Sequence, residues 1–284
     1  MPAELSLKLP SHFELQRGER GVLAVRRDAA LELECAGFSL EGDGRGRSAG
    51  LAGRHPVVLL GPPERELVLR RFTHGGLLRF LTGARFADPR RPFVELELSE
   101  RLRTSGVLTP EVVAARARRA RLAGWELALV TRRVPQARDG GELLRLAARG
   151  ELPLPERHAA FAAAGSLVAR LHALGFLHAD LHPKNLLFAS AGAAGEAWLL
   201  DLDRSRFQGT LEAGQRAANL ARLVRYLERR KARGELALER TDIARFLRAY
   251  APDRALRRRA WSEVRASYVR SLRWHRLGWW LGAS

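Results

Sequence analysis

The sequence predicts an α+β chain in two lobes, a small antiparallel β-sheet with one helix followed by a larger, mainly helical part. Three observations carry this prediction. Up to about residue 131, short apolar runs alternate with Gly, Pro and charged clusters, which is the punctuation of strands and turns. From Pro155 onward, apolar residues recur at helical spacing. Between these parts VPQARDGGELL interrupts both patterns, and we take it as the hinge that divides the chain into 1–133 and 134–284.

In the first part, strands are expected at Gly21–Val25, Leu31–Phe38, Val57–Leu60 and Leu67–Phe72. EGDGRGRSAG, with Gly42, Gly44 and Gly46 at alternate positions, lies between the second and third of these. A helix is predicted over Pro92–Ser105, burying Phe93, Leu96 and Leu102 and stopped by Gly106. Strands return at Val112–Ala117 and Trp125–Thr131. In the second part, helices are expected at Glu156–Leu174, Gln215–Lys231 and Arg240–Tyr250. The stretch from Gly175 to Phe207 breaks the helical run with the apolar triplets Leu186–Phe188 and Trp198–Leu200.

Composition sets the outer limits. In 284 residues, 46% hydrophobic and 28% charged content is ordinary for a globular chain and excludes wholesale disorder or a collagen-like fibre. One cysteine, Cys35, cannot close an intramolecular disulfide, and no Cys/His spacing suits structural zinc, so a reducing compartment is expected. The start, MPAELSLKLPSHFELQRG, lacks the basic and then apolar order of an export signal. No run of about 18 residues is free of charge, and a cytoplasmic protein is expected. The net charge of +18 seeks anions such as nucleic acid, an acidic membrane face or a phosphorylated glycan, although arginine dispersed along the chain also fits codon bias. Only Lys8, Lys184 and Lys231 are lysines, so arginine must supply other cations.

The chemistry lies in LHALGFLHADLHPKNLLF. Asp180 and Asn185 are five residues apart behind His178, and a second apolar triplet delivers Asp201 in WLLDLDRSRF. This is the frame of a protein-kinase catalytic loop, a following strand and a metal-binding Asp. Phosphoryl transfer needs one carboxylate for the acceptor hydroxyl and oxygen ligands for magnesium on the phosphates. Asp180 suits the first task, Asn185 and Asp201 the second, and His178 would brace the loop. Upstream, Gly42, Gly44 and Gly46 could let a strand-turn-strand close over phosphates, a bare glycine turn being the plainer alternative. ELVLRRF puts Arg70 where kinases place a phosphate-holding lysine, with Glu95 in the next helix as its partner. Arg for Lys keeps the charge but changes its shape.

The motifs GDGRGR, LVLRRFTHGGLL, RPFVELELSERLRTSGV, HADLHPKN, LLDLDRSRF and NLARLVRYL together resemble the lipopolysaccharide kinase family, and within it the 3-deoxy-D-manno-octulosonic acid (Kdo) kinases, over about residues 38–230. The resemblance implies an atypical two-lobed protein-kinase-like fold, with 1–133 as a nucleotide-binding lobe and 134–284 as a catalytic lobe. It implies ATP and Mg2+ as cofactors and Kdo-lipid A or another anionic glycolipid as acceptor, at the inner face of a bacterial inner membrane. In that pattern Asp180 is the base, Asn185 and Asp201 are the metal ligands, and Arg70 and Glu95 form the ion pair. His182, where a protein kinase carries lysine, argues against a protein substrate. A kinase of a core heptose, a small molecule or a protein is the first rival, and a non-catalytic pseudokinase or lipid-binding scaffold is the second.

The tail, residues 251–284, holds four of the six tryptophans (Trp261, Trp274, Trp279 and Trp280) among many arginines, with Asp253 and Glu263 its two acids. Arginine and tryptophan together suit an anionic bilayer surface. The alternative is a terminal helix packed on the second lobe. Nucleic acid is disfavoured, because no nucleic-acid motif accompanies the tail.

Overall fold

The computed structural model describes residues 7, 9–48, 57–73, 85–121, 123–189 and 195–281, with side chains to residue 270. These fall into two compact units, one running to Thr104 and including Thr109–Val134, the other Ser105–Leu108 with the chain from Pro135.

The first unit is built on seven antiparallel strands: β1 (Phe13–Gly18), β2 (Gly21–Arg26), β3 (Gly46–Ser48), β4 (Val58–Leu60), β5 (Leu67–Arg71), β6 (Val112–Arg119) and β7 (Trp125–Arg132). They lie in the order β1-β2-β6-β7-β5-β4-β3. Two-residue alternation gives the sheet two apolar faces. Val22, Ala24, Ala115 and Leu129 pack with Phe93 and Leu96 of a helix over Arg91–Thr104. Leu23, Val25, Leu69 and Val130 pack with Ala29 and Leu33 on the other side. A register shift between Val112 and Ala114 lets Val113 and Ala114 both join this second face.

The expected strand over Leu31–Phe38 is instead a helix, α1 (Ala30–Cys35). LELEC alternates like a strand, yet Ala, Leu and Glu are strong helix formers. Leu33 lines up with Ala29 and Ala36 on one buried helical face, while Leu31 is left 74% exposed. Phe38 N–H to the Leu33 carbonyl (3.0 Å) and Gly37 N–H to the Glu34 carbonyl (2.8 Å) close the helix in a Schellman cap. The helix over Arg91–Thr104, α2, matches its expected span within a residue at each end. β1 went unpredicted, although Phe13 and Leu15 alternate inward along it.

The second unit opens with a short strand, β8 (Ala137–Asp139), whose Asp139 carboxylate accepts the Glu142 N–H (2.9 Å) and so caps α3 (Gly140–Ala148). There follow α4 (Leu154–Ala173), β9 (Phe176–Leu177), β10 (Leu186–Ala189), β11 (Glu196–Leu199), β12 (Arg206–Phe207), α5 (Ala213–Lys231), α6 (Arg240–Tyr250) and α7 (Arg254–Leu281). β11-β10-β8 and β12-β9 make two small antiparallel sheets. Buried Arg157 of α4 donates to Asp242 (3.0 Å) and Glu239 (3.1 Å), fastening α4 to α6. At the turn out of α4, Gly175 has φ +73°, and a Cβ there would lie 1.7 Å from the Gly209 carbonyl oxygen. Only glycine permits that backbone approach.

The tail is helical over Arg254–Leu281. Val264 is buried, and with Trp261 it walls an apolar cavity of about 120 Å³ shared with Leu143, Phe161, Leu223 and Phe246. The first half of α7 therefore packs on its own unit, as the alternative for the tail expects. The side chains of Trp274, Trp279 and Trp280 lie outside the described residues.

Candidate active site

In the second unit, β9 leads into the loop that carries His178, Asp180 and Asn185. His178 is 1% exposed. Its Nε2 donates to the Leu200 carbonyl (2.9 Å), and its Nδ1 accepts the Asp180 N–H (3.2 Å). That pair of roles defines the neutral Nε2–H tautomer. Burial holds the pKa below the usual 6.5, against the opposing pull of the Leu200 carbonyl, Asp201 and Asp180. His178 therefore braces the loop rather than exchanging protons, and it fixes the residue before Asp201 in the same contact.

Asn185 and Asp201 come to one end of the β10–β11 hairpin. Leu186 pairs with Leu199, and the ladder runs one step further through Leu200 N–H to the Asn185 carbonyl (2.9 Å). Asn185, buried, donates through Nδ2 to the Asp180 carbonyl (2.9 Å), which leaves Oδ1 as the atom for a cation. Asp201 is exposed and has φ +53°, a left-handed backbone uncommon for a residue with a Cβ and often tied to function. Among the described residues, no group of three or more His, Cys, Asp or Glu could hold a metal. One carboxylate and one amide oxygen fit magnesium, a hard cation that keeps several waters and takes few protein ligands.

Three further elements hold the loop, and sequence reasoning did not single out their residues. Ser205 Oγ accepts the Ala179 N–H (3.0 Å). From α5, Asn219 Nδ2 donates to the His178 carbonyl (2.7 Å) and Arg222 donates to the Ala179 carbonyl (2.5 Å). Tyr226 stacks on His182 at 5.2 Å between ring centroids, and His182 Nε2 lies 3.4 Å from the Asp180 carboxylate. Behind Asn219, the Tyr250 hydroxyl donates to His172 Nδ1 (2.8 Å), and His172 Nε2 donates to Asn219 Oδ1 (3.2 Å). Burial lowers the His172 pKa from 6.5 to about 4, Asn219 opposing and Arg216 adding to the fall, so this imidazole is neutral too. The signal was the spacing of Asn219, Arg222 and Tyr226 in NLARLVRYL, which sets them along one side of a helix.

In the first unit, Arg70 on β5 forms an ion pair with Glu95 of α2, which is 4% exposed, and its guanidinium lies 4.5 Å from the Phe72 ring centroid. The glycines are placed differently from expectation. A strand-turn-strand is present as β3 and β4, but Gly42 and Gly44 precede it and Gly46 is the first residue of β3. The turn joining the strands, residues 49–57, falls almost wholly outside the described residues. The Gly42 carbonyl accepts from buried Arg116 (2.7 Å), which also pairs with Asp43. Gly44 has φ +79°, and a Cβ there would meet Leu60 Cδ2 at 2.9 Å. Gly42 and Gly44 thus serve a braced, packed turn.

The comparisons with known proteins bear on both clusters. Residues 65–250 match the model of the lipopolysaccharide kinase (Kdo/WaaP) family. The chain belongs to this family. A 3-deoxy-D-manno-octulosonic acid kinase of Stenotrophomonas maltophilia is 31% identical over 237 residues, covering 81% of this chain and 89% of that protein. Another from Xanthomonas axonopodis pv. citri is 32% identical over 239 residues, with the same coverage. A solved structure described as WaaP in complex with acyl carrier protein shares the fold at a TM-score of 0.55 and 20% identity, covering 81% of this chain and 88% of that one. The lipopolysaccharide kinase described here is accordingly an α+β, protein-kinase-like phosphotransferase acting on a hydroxyl group.

Proposed function

We propose that this kinase moves the γ-phosphoryl group of ATP onto a hydroxyl of a Kdo residue attached to lipid A. The observation that carries the reading is Asp180 itself. Its side chain is 65% exposed, while the backbone on either side is fixed through His178, Ala179 and Asn185. A carboxylate presented in this way can take the proton of an acceptor hydroxyl as its oxygen bonds to the γ-phosphorus and ADP departs. The relatives named for Kdo phosphorylation cover most of the chain, which supports the choice of acceptor.

Asn185 Oδ1 and the Asp201 carboxylate would hold magnesium, which when bound supplies positive charge to the phosphates. Arg70, anchored by Glu95, is the cation we assign to the nucleotide phosphates in place of lysine. The glycine segment from Gly42 to Gly46 would position the hairpin that follows it. We place the enzyme at the inner face of the bacterial inner membrane, where a surface of net charge +18 meets an acidic glycolipid. Among the described residues, no helix is long and apolar enough to cross a membrane.

The test is incubation with labelled ATP, magnesium and a panel of Kdo-lipid A, heptosylated core and a generic protein, followed by mass spectrometry. Label confined to Kdo supports the proposal, and label on heptose or protein reassigns the acceptor. Asp201→Ala should remove the magnesium-dependent part of ATP affinity in calorimetry. Equal magnesium enhancement in parent and variant would move the metal elsewhere.

A further inference from the structure

α5 carries Arg222, Arg225 and Arg229, spaced so that they follow one side of the helix over about 10 Å. Arg222 is tied to the Ala179 carbonyl (2.5 Å), one peptide before Asp180. Arg225 is half-buried, and its Nε is buried with no hydrogen-bond partner among the described residues. Its pKa is pushed below the ordinary guanidinium value by burial and then by the charges of Arg229 and Arg222, with Tyr268 of α7 opposing. Arg229 is exposed. Among the described residues, no carboxylate pairs with any of the three.

Elsewhere, most arginines that leave water meet carboxylates, and half-buried Arg216 and Arg257 donate to backbone carbonyls instead. Arg26 meets Asp28, Glu100 and Glu111, Arg116 meets Asp43, Arg132 meets Glu32 and Glu111, and Arg157 meets Asp242. The reason is general, since a desolvated cation without a counter-charge is costly. Half-buried Arg225, whose Nε has no partner among the described residues, lies between exposed Arg222 and Arg229 in a row that begins at the catalytic loop, and an anion from outside the chain would match it.

We propose that Arg222, Arg225 and Arg229 form the subsite that holds the acidic group of the acceptor, a carboxylate or phosphate of the sugar-lipid, while its hydroxyl meets Asp180. The inference rests on the reading of Asp180 as the base. Arginine suits the task because its planar fork meets either oxyanion through paired hydrogen bonds. Arg222 engages the loop carbonyl through one NH2 group, and its remaining N–H donors lie on the same guanidinium, one residue from the base.

The experiment compares the full chain with Arg225→Gln, Arg229→Gln and Arg225→Lys. It uses detergent-solubilised Kdo-lipid A, its Kdo methyl ester and a dephosphorylated lipid A form as acceptors. Arg225→Gln should raise the acceptor KM at least tenfold with the ATP KM within twofold, Arg229→Gln should raise it severalfold, and Arg225→Lys should recover most of the loss. If the methyl ester binds parent and Arg225→Gln alike, the bound group is the carboxylate; if the dephosphorylated form does so, it is the phosphate. Should Arg225→Gln fail to fold, the exposed Arg229 carries the same test. An unchanged acceptor KM in folded glutamine variants overturns the proposal. So does loss of binding to phosphatidylglycerol vesicles with the solubilised acceptor unaffected, which would make the row a membrane contact. Calorimetric binding of Kdo-lipid A without ATP reads the subsite separately from turnover, so failure of the subsite and failure of Asp180 as base are told apart.

Discussion

In the first unit the groups around Arg70 are held by opposite charges, whereas in the second the loop of Asp180 is held mainly by neutral side chains bonded to backbone N–H and C=O groups. Arg70 pairs with Glu95, Arg116 with Asp43, and Glu66 with Arg47 and Arg133. The loop instead rests on His178, Asn185, Ser205 and Asn219, with Arg222 the one cation among its braces. Ion pairs hold charge in a region and tolerate exchange of one cation for another. Directional bonds to backbone groups fix the backbone itself and fail when one atom is lost. The second arrangement suits a base whose oxygen must meet a particular hydroxyl.

The largest effect expected is that of Asp180→Asn. The amide cannot accept the hydroxyl proton, and a positioned general base supplies about 10²- to 10⁴-fold in rate. The side chain is 65% exposed, so melting temperature and ATP affinity should stay near those of the parent. Single-turnover transfer to Kdo-lipid A measures the loss. Activity within about threefold of the parent would remove Asp180 from the chemistry and, with it, the purpose of the neutral scaffold.

Asn219→Ala tests the scaffold directly. It leaves the His172 Nε2–H and the His178 carbonyl without their partner in the interior, at about 1–3 kcal/mol for each orphaned group. Urea unfolding should show a loss of about 2–6 kcal/mol, and kcat should fall while the ATP KM holds. Asn219→Asp should not rescue, because a carboxylate accepts from His172 but cannot donate to the His178 carbonyl. Rescue by Asp would show that the contact is not directional.

Acid should separate the two arrangements. His172 titrates near 4 in the folded protein against 6.5 for the free side chain, so the unfolded chain takes up the proton first as pH falls. Stability is therefore full above pH 6.5 and declines toward 4, by about 3 kcal/mol at roughly 1.4 kcal/mol per pH unit. His178 adds to the loss in the same direction. In the first unit, burial raises the Asp43 pKa, but Arg116, Arg118 and Arg71 outweigh it and hold the carboxyl below 3.8. Arg133 and Arg47 hold Glu66 below 4.5 against burial. Their contributions are present above those values and vanish only as pH falls further. Hydrogen exchange at pH 7, 5.5 and 4 should show the second unit opening first. Simultaneous opening would mean that His172 is not the neutral, buried group its contacts describe.

The sequence made one arrangement more legible than the other. Asp180, Asn185 and Asp201 could be read from order and spacing, because the loop–strand–Asp frame is local and each residue borders an apolar triplet. Arg70 and Glu95 followed from their places on a strand and the next helix, and they do pair. The braces were opaque, since Asn219 and Tyr250 reach the loop only through tertiary packing of α5 and α6 on α4. The strand-like reading of Leu31–Phe38 failed because a period of two over five residues cannot outweigh helix formers that have a buried face to use. The glycine spacing leaves both a phosphate-closing hairpin and a plain turn open, because a lone glycine spacing does not say on which side of a strand it falls.

The smallest effect belongs to the charge-held unit. Arg70→Lys preserves a cation opposite buried Glu95, and if charge rather than fork geometry serves the nucleotide phosphates, turnover and ATP KM should stay within about threefold of the parent or improve. Arg70→Ala is the reference, since it removes the cation and should raise the ATP KM by about tenfold or more, roughly the effect of losing one charged hydrogen bond. Steady-state kinetics against ATP at saturating acceptor distinguishes them. Lysine loses the position over the Phe72 ring that the guanidinium now occupies at 4.5 Å. If the lysine variant falls as far as alanine, that stack and the paired N–H geometry are required. The first unit would then be as directional at Arg70 as the second is at His178, and the contrast between the two would be confined to the ion pairs of Asp43 and Glu66.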